Sequence, residues 1–164
     1  MKHLFIINPA AGKYNHTKEY AQTAERVLRK YDLEYELALS TEPGDCEVIA
    51  RRAAETGEAL RIYACGGDGT LNEVVCGAAG FENVAVTHFP GGSGNDFIKI
   101  FSETEPFHHL ERLLDCDETR VDLIRCNGRY SVNILSMGLD ARVGTEIAKY
   151  KRLPLVSGSG AYAM

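Results

Sequence analysis

The sequence is short of several things, and each shortage removes a class of function. It has no excess of positive charge: Lys and Arg total 18 against 23 Asp and Glu, a formal net charge of -5. Nucleic acid is therefore not expected as the main partner. Paired cysteines are missing too. Cys46, Cys65, Cys76, Cys116 and Cys126 stand singly, in neither a CxxC nor a zinc spacing, and their odd number argues against a disulfide framework. No apolar run is long enough to cross a bilayer. No secretory leader is expected, because the first apolar run stops at Asn8-Pro9. GxxxxGK[ST] is absent, so a Walker-type phosphate loop is not expected. The expected compartment is the cytoplasm, with peripheral contact at a membrane surface left open.

What is present is glycine in an ordered setting. Residues 60–65 are short, mostly apolar and unbroken, which suits a buried parallel strand. Gly66, Gly67 and Gly69 follow within four residues. Glycine lets backbone N–H groups approach a ligand closely. Thr70-Leu71-Asn72-Glu73 reads as a capping box, with Thr70 as N-cap and a helix from about Leu71. The free N–H groups and positive dipole end of that helix would face the turn and suit phosphate. Asp68, between the glycines, either holds Mg²⁺ that bridges to phosphate or accepts a proton from an attacking hydroxyl. The plain alternative is a turn aspartate bonded to its own backbone.

Taken in order, the chain alternates strand and helix. Residues 4–7 form a buried strand, and Asn8-Pro9-Ala10-Ala11-Gly12-Lys13 a turn of small residues at its carboxyl end. That turn either admits a ligand or is an ordinary strand-to-helix connection. A helix spans 17–30, with Tyr20, Ala21, Ala24, Val27, Leu28 and Tyr31 as its apolar stripe. Leu33, Tyr35, Leu37 and Leu39 alternate with Glu34, Glu36 and Ala38, as in a half-exposed strand near a sheet edge. Asp45 is the expected N-cap of a helix over 46–55, which Gly57 stops.

After the central unit, a strand over 84–89 leads into Pro90-Gly91-Gly92-Ser93-Gly94-Asn95-Asp96-Phe97. This second glycine-rich turn is expected to open into a helix capped by Ser93 or Asn95. In a parallel sheet both turns lie on the carboxyl edge, where they can grip one polyphosphate. Pro106 starts a further helix, with Phe107, Leu110, Leu113 and Leu114 inward. His108 and His109 are read as surface or cap residues, not metal ligands. Asn127-Gly128 then marks a hairpin between strands over 119–126 and 129–135. Asp122 on its first strand is either on the exposed face or placed for use. A helix from about 136 to 151 comes next, and a tail of glycines and serines after it.

The expected fold class is α/β. A parallel-sheet nucleotide-binding domain with helices on both faces occupies 1–117. The start of an antiparallel β domain, apparently cut short, occupies 118–164.

Five stretches, in this order, resemble the diacylglycerol kinase catalytic domain family of bacterial lipid kinases, eukaryotic diacylglycerol kinases and sphingosine kinases. They are Asn8 to Lys13, Gly66-Gly67-Asp68-Gly69-Thr70-Leu71-Asn72-Glu73-Val74, Pro90 to Phe97, Val121-Asp122-Leu123, and residues 133–143 with Ser136-Met137-Gly138-Leu139-Asp140-Ala141. The central motif alone is shared with NAD kinases and phosphofructokinases; the ordered set is more specific.

The resemblance implies an ATP-dependent lipid kinase that uses Mg²⁺ and a diacylglycerol-like substrate, with its site in a cleft between two domains. ATP would lie against Asn8, Pro9, Ala10, Ala11, Gly12, Thr41, Gly66, Gly67, Asp68, Gly69, Thr70, Leu71, Asn72 and Ser93. Asp68 would sit by the phosphates and the metal, and Asp122 would serve the site or its metal network; these two carry the catalytic assignment. Ser93 stands where the family usually has Thr, and Gly91 where it often has Met or a small residue. The family's second domain is much longer than the stretch after Asp115 in this sequence. It supplies most of the lipid pocket, further acidic residues and a late glutamate proposed as general base. An NAD kinase-like phosphotransferase is the nearest enzymatic rival. The other is a non-catalytic nucleotide-binding module whose exposed cleft face pairs two chains into a homodimer.

Overall fold

The structure is a computed structural model and describes residues 1–139, 141 and 142. Its sheet follows from two strands whose alternating side chains are apolar on both faces. In β1 (Lys2–Ile7), Leu4 and Ile6 enter one core and Phe5 and Ile7 the other. In β3 (Leu60–Gly66), Leu60, Ile62 and Ala64 join the first core, Tyr63 and Cys65 the second. A strand buried on both sides belongs inside a parallel sheet with helices on both faces. The Phe5 and Tyr63 rings stack across the β1–β3 pair at 4.3 Å.

Four parallel strands run in the order β2-β1-β3-β4, with β2 at Tyr35–Leu39 and β4 at Val84–Pro90. Helices α2 (Asp45–Ala54) and α3 (Asp68–Ala78) cover the first face; α1 (Thr17–Lys30) and α4 (Leu110–Asp115) cover the second. The antiparallel hairpin of β5 (Ile124–Cys126) and β6 (Arg129–Ser131) turns on Asn127 and Gly128, both at positive φ. That is the geometry Asn-Gly favours in a two-residue hairpin. All of these elements lie within the compact unit Met1–Asn133.

Several expectations are corrected. Asp45 does not cap α2; it is the first helical residue. Its Oδ2 accepts from Thr41 N at 2.7 Å, Thr41 Oγ1 at 2.6 Å and Glu42 N at 3.1 Å, so it closes the preceding turn. Thr70 is no N-cap either. β3 runs on to Gly66, a single residue, Gly67, makes the turn, and α3 starts at Asp68. This sharp turn is sterically permitted because a Cβ on Gly66 would collide with the Thr70 hydroxyl, and Gly66 has none.

The second glycine-rich turn opens only into one 3₁₀ turn, Phe97–Ile100, with Asp96 rather than Ser93 or Asn95 at its N-cap position and no side-chain capping bond. Asn95 stands at φ 51, which no helix can pass through, and both ends of its amide bond back to Gly92. The Pro106 helix is divided into a 3₁₀ turn, Glu105–His108, and α4, with His109 extended between them. Tyr31 is exposed at the end of α1, as are Leu37 and Leu39 on β2. β2 is an edge strand, and there Ala38 packs against the first core and Tyr35 against the second. The hairpin strands are shorter than expected, so Asp122 precedes β5 and is exposed. Of the expected helix over 136–151 only 136–139, 141 and 142 are described; Asp140 and the tail over 153–164 lie outside the described residues.

Candidate active site

All four parallel strands end on one edge. From β1 the chain moves outward to β2, then returns over β1 to β3 on the other side. The strand order therefore reverses between β1 and β3, and a crevice forms beyond their carboxyl ends, the usual ligand position in such sheets. Three turns meet around it, those after β1, β3 and β4. Asn8 N donates to Cys65 O at 3.0 Å and Gly91 N to Gly66 O at 2.8 Å.

Asn8 organises the first turn. Its Oδ1 accepts from Ala10 N, and its Nδ2 donates to Thr70 Oγ1, both at 3.0 Å. Thr70 is buried, so this bond ties the turn to the first turn of α3. Pro9, Ala10, Ala11 and Gly12 continue along the crevice rim. Most glycines here serve contact between the turns. A Cβ on Gly12 would collide with Gly91 O, one on Gly91 with the Tyr20 hydroxyl, and one on Gly92 would lie 2.5 Å from Gly67 Cα.

Gly69 differs. It is exposed in the first turn of α3, and a Cβ there would meet nothing within 4 Å. The first helical bond runs from Leu71 N to Gly67 O at 3.1 Å. The N–H groups of Asp68, Gly69 and Thr70 thus have no helical acceptor. They point out of the N-terminal end of the helix, where its dipole favours an anion.

Asp68, the first residue of α3, stands at that positive end. Its Oδ1 accepts from Asp96 N at 2.6 Å. A Cβ on Gly94 would lie 2.8 Å from Asp68 Oδ2 and 3.4 Å from Asp96 Oδ2, so two carboxylates flank one glycine. Asp96 was missed as a site residue in the sequence; the available signal was an acid closing the second turn. Lys99 Nζ pairs with Asp96 Oδ1 at 2.6 Å, and that hydrogen bond raises the lysine pKa. His88 was missed as well. It is fully buried, with Nε2 2.9 Å from Gly66 O, and burial lowers its pKa. Its signal was a lone imidazole in the apolar run of β4.

Other expected residues are placed differently. Thr41, exposed beyond β2, gives both its N–H and its hydroxyl to Asp45. Leu71 is buried in the core. Asn72 turns its amide to the hairpin: Nδ2 donates to Tyr130 O, and Oδ1 accepts from Val132 N, both at 3.2 Å. Ser93 is exposed at the tip of the second turn, and Asp122 is exposed ahead of β5.

Among the described residues no group of three His, Cys, Asp or Glu is arranged for a metal. Asp68 and Asp96 place two carboxylates on either side of Gly94, the donor type that a hard cation such as Mg²⁺ takes. The described helices include none long and apolar enough to cross a membrane. A cavity of about 850 Å³ lies along β4, lined by Val75, Val84, Val86, Phe101 and Phe107 among others. Its walls are largely apolar, and the turns after β1, β3 and β4 do not line it.

The family model of the diacylglycerol kinase catalytic domain matches residues 2–126. The chain is 34% identical over 162 residues to the diacylglycerol kinase of Staphylococcus haemolyticus, covering 96% of this chain and 47% of that one. It is 35% identical over 150 residues to the probable lipid kinase YegS-like of Chromohalobacter salexigens, covering 87% and 47%. It thus spans about half the length of these curated relatives. The crystal structure of a diacylglycerol kinase from Bacillus anthracis superposes with a TM-score of 0.59 at 23% identity, over 79% of this chain and 47% of that one, and shares the fold.

Proposed function

Since the chain belongs to the diacylglycerol kinase catalytic domain family, we propose that it is the nucleotide-binding part of an ATP-dependent lipid kinase. The reaction is transfer of the γ-phosphoryl group of ATP to the hydroxyl of a diacylglycerol-like lipid, met at a cytoplasmic membrane surface. One observation supports this reading: three N–H groups that have no acceptor among the described residues, and Asp68, stand together at the start of α3.

The work assigned to these residues is binding and orientation, as expected of phosphoryl transfer. The turn from Asn8 to Gly12 and the stretch from Gly66 to Thr70 offer backbone N–H groups to the phosphates, and the Ser93 hydroxyl approaches from the second turn. Leu71 and Asn72 act through α3 itself, not by side-chain contact. Mg²⁺ supplies charge neutralisation when bound with ATP, and Asp68 with Asp96 would hold it. Asp68 is also within the crevice to take a proton from the attacking hydroxyl. Asp122 is assigned to the same acidic network, and Thr41 to the outer rim.

The test is calorimetry with MgATP on this chain, followed by a kinase assay with diacylglycerol vesicles. MgATP is expected to bind. Asp68→Asn keeps an oxygen for the Asp96 N–H, so the fold should stand while transfer is lost. Full activity in that variant would remove Asp68 from catalysis, and absence of MgATP binding would remove the nucleotide reading. A second reading, a nucleotide-binding module without catalysis, draws on the half-length match to relatives; binding without turnover would support it. Phosphorylation of NAD instead of lipid would move the chain to its enzymatic rival.

A further inference from the structure

His88 is fully buried, at 0% exposure. Its Nε2 lies 2.9 Å from Gly66 O. A carbonyl oxygen only accepts, so Nε2 carries the proton and, in the neutral ring, Nδ1 is a bare acceptor. Nδ1 has no hydrogen-bond partner among the described residues. A buried unpaired acceptor is destabilising, and an apolar side chain would fill the same space without that cost. The imidazole is therefore explained by what Nε2 does.

Gly66 O receives two donors, His88 Nε2 and Gly91 N. Gly91 belongs to a glycine turn, whereas His88 is anchored inside β4. The carbonyl they hold is part of the Gly66–Gly67 peptide. No cis peptide is present, and a trans peptide points its C=O and following N–H in opposite directions. With the Gly66 C=O turned to β4, the Gly67 N–H is turned to the β1 side, over the crevice. Gly67 is the N-cap of α3, so this donor adjoins the three free N–H groups. A peptide between two glycines has the least steric resistance to flipping.

We propose that His88 is a positioning residue for the anion site: its Nε2–H holds the Gly66 carbonyl toward β4 and so keeps the Gly67 N–H directed at a bound phosphate. This rests on the reading of the crevice as a phosphate site. The probes are MgATP and inorganic tripolyphosphate, titrated by calorimetry into the wild-type chain, His88→Leu and His88→Gln. His88→Leu should weaken tripolyphosphate binding about tenfold, the equivalent of one hydrogen bond to a charged acceptor. His88→Gln, whose amide N–H has a similar reach, should recover most of it. Wild-type affinity in His88→Leu, or no recovery in His88→Gln, overturns the role of His88 and leaves the phosphate site standing. A wild-type chain that binds neither probe overturns the phosphate site and this role with it. Should His88→Leu not fold, ¹⁵N spectra of the wild type decide. An Nε2–H tautomer with a Gly67 amide that shifts on adding tripolyphosphate supports the role; an Nδ1–H tautomer or an unmoved Gly67 amide overturns it.

Discussion

Gly69 and Gly91 lack a side chain for different reasons, and the difference can be measured. A Cβ on Gly91 would run into the Tyr20 hydroxyl, so Gly91→Ala is an overpacking change expected to cost about 1–3 kcal/mol in urea denaturation. A Cβ on Gly69 meets open space within a helix. Gly69→Ala should therefore raise stability by about 0.5–1 kcal/mol, the usual difference between the two residues in a helix. If phosphate lies on the free N–H groups there, the same methyl weakens MgATP binding. Higher stability with unchanged affinity would remove Gly69 from the site. The sequence made the glycine cluster visible but not this division, because the partner of Gly91 comes from α1 and that of Gly12 from the turn after β4. His3 and His88 add a pH dependence at the same scale. Burial lowers both pKa values from 6.5, so the fold disfavours the charged ring at each. As pH falls through 6.5 the unfolded chain takes up protons that the folded chain refuses, and stability falls. Well above 6.5 both states are neutral and the effect fades. The urea midpoint should drop between about pH 7.5 and 5.5, and a His3→Gln, His88→Gln double variant should show a shallower drop.

At the scale of elements, α1 was legible because its apolar spacing keeps the helical period, and β1 because its short apolar run is unbroken up to Asn8-Pro9. The start of α3 was not, since Thr70-Leu71-Asn72-Glu73 satisfies the capping-box pattern while the strand before it runs one residue further than its apolar stretch suggests. Thr70 sits inside the helix and is 3% exposed, accepting from Asn8. Were it an N-cap, Thr70→Asn would be tolerated, because asparagine caps as well or better. In the structure the larger amide must enter a packed position, and the variant should lose about 1–3 kcal/mol. Asn72 shows the same limit of local pattern. It falls within a phosphate-binding motif, yet its amide pairs with Tyr130 O and Val132 N and joins α3 to the hairpin. Asn72→Leu should speed hydrogen exchange at the Val132 amide and leave the amides of β1 and β3 protected. Equal acceleration throughout would mean that the hairpin and sheet open together.

For the molecule as a whole, the parallel sheet was legible because β1 and β3 are apolar on both faces, which admits only a covered, central position. The strand order was not, since nothing local distinguishes β2 beside β1 from β2 elsewhere; yet that order makes the crevice. Its consequence is that the turns after β1, β3 and β4, the first turn of α3 and His88 all come from the unit Met1–Asn133. The hairpin that Asn72 holds lies in it too. If the crevice binds nucleotide, the donors for its phosphates are complete in that unit, and a chain ending at Asn133 should bind MgATP as the 164-residue chain does. Ligand at a hundredfold excess over its Kd should then stabilise both chains by about 2.7 kcal/mol, read as a rise in Tm. Asp68→Asn should reduce the rise in both, since the carboxylate that would hold the metal is gone. A shorter chain that folds, with the same Tm in the absence of ligand, but gains nothing from MgATP would place essential nucleotide contacts beyond Asn133, and the switch-point crevice would then be only part of the site.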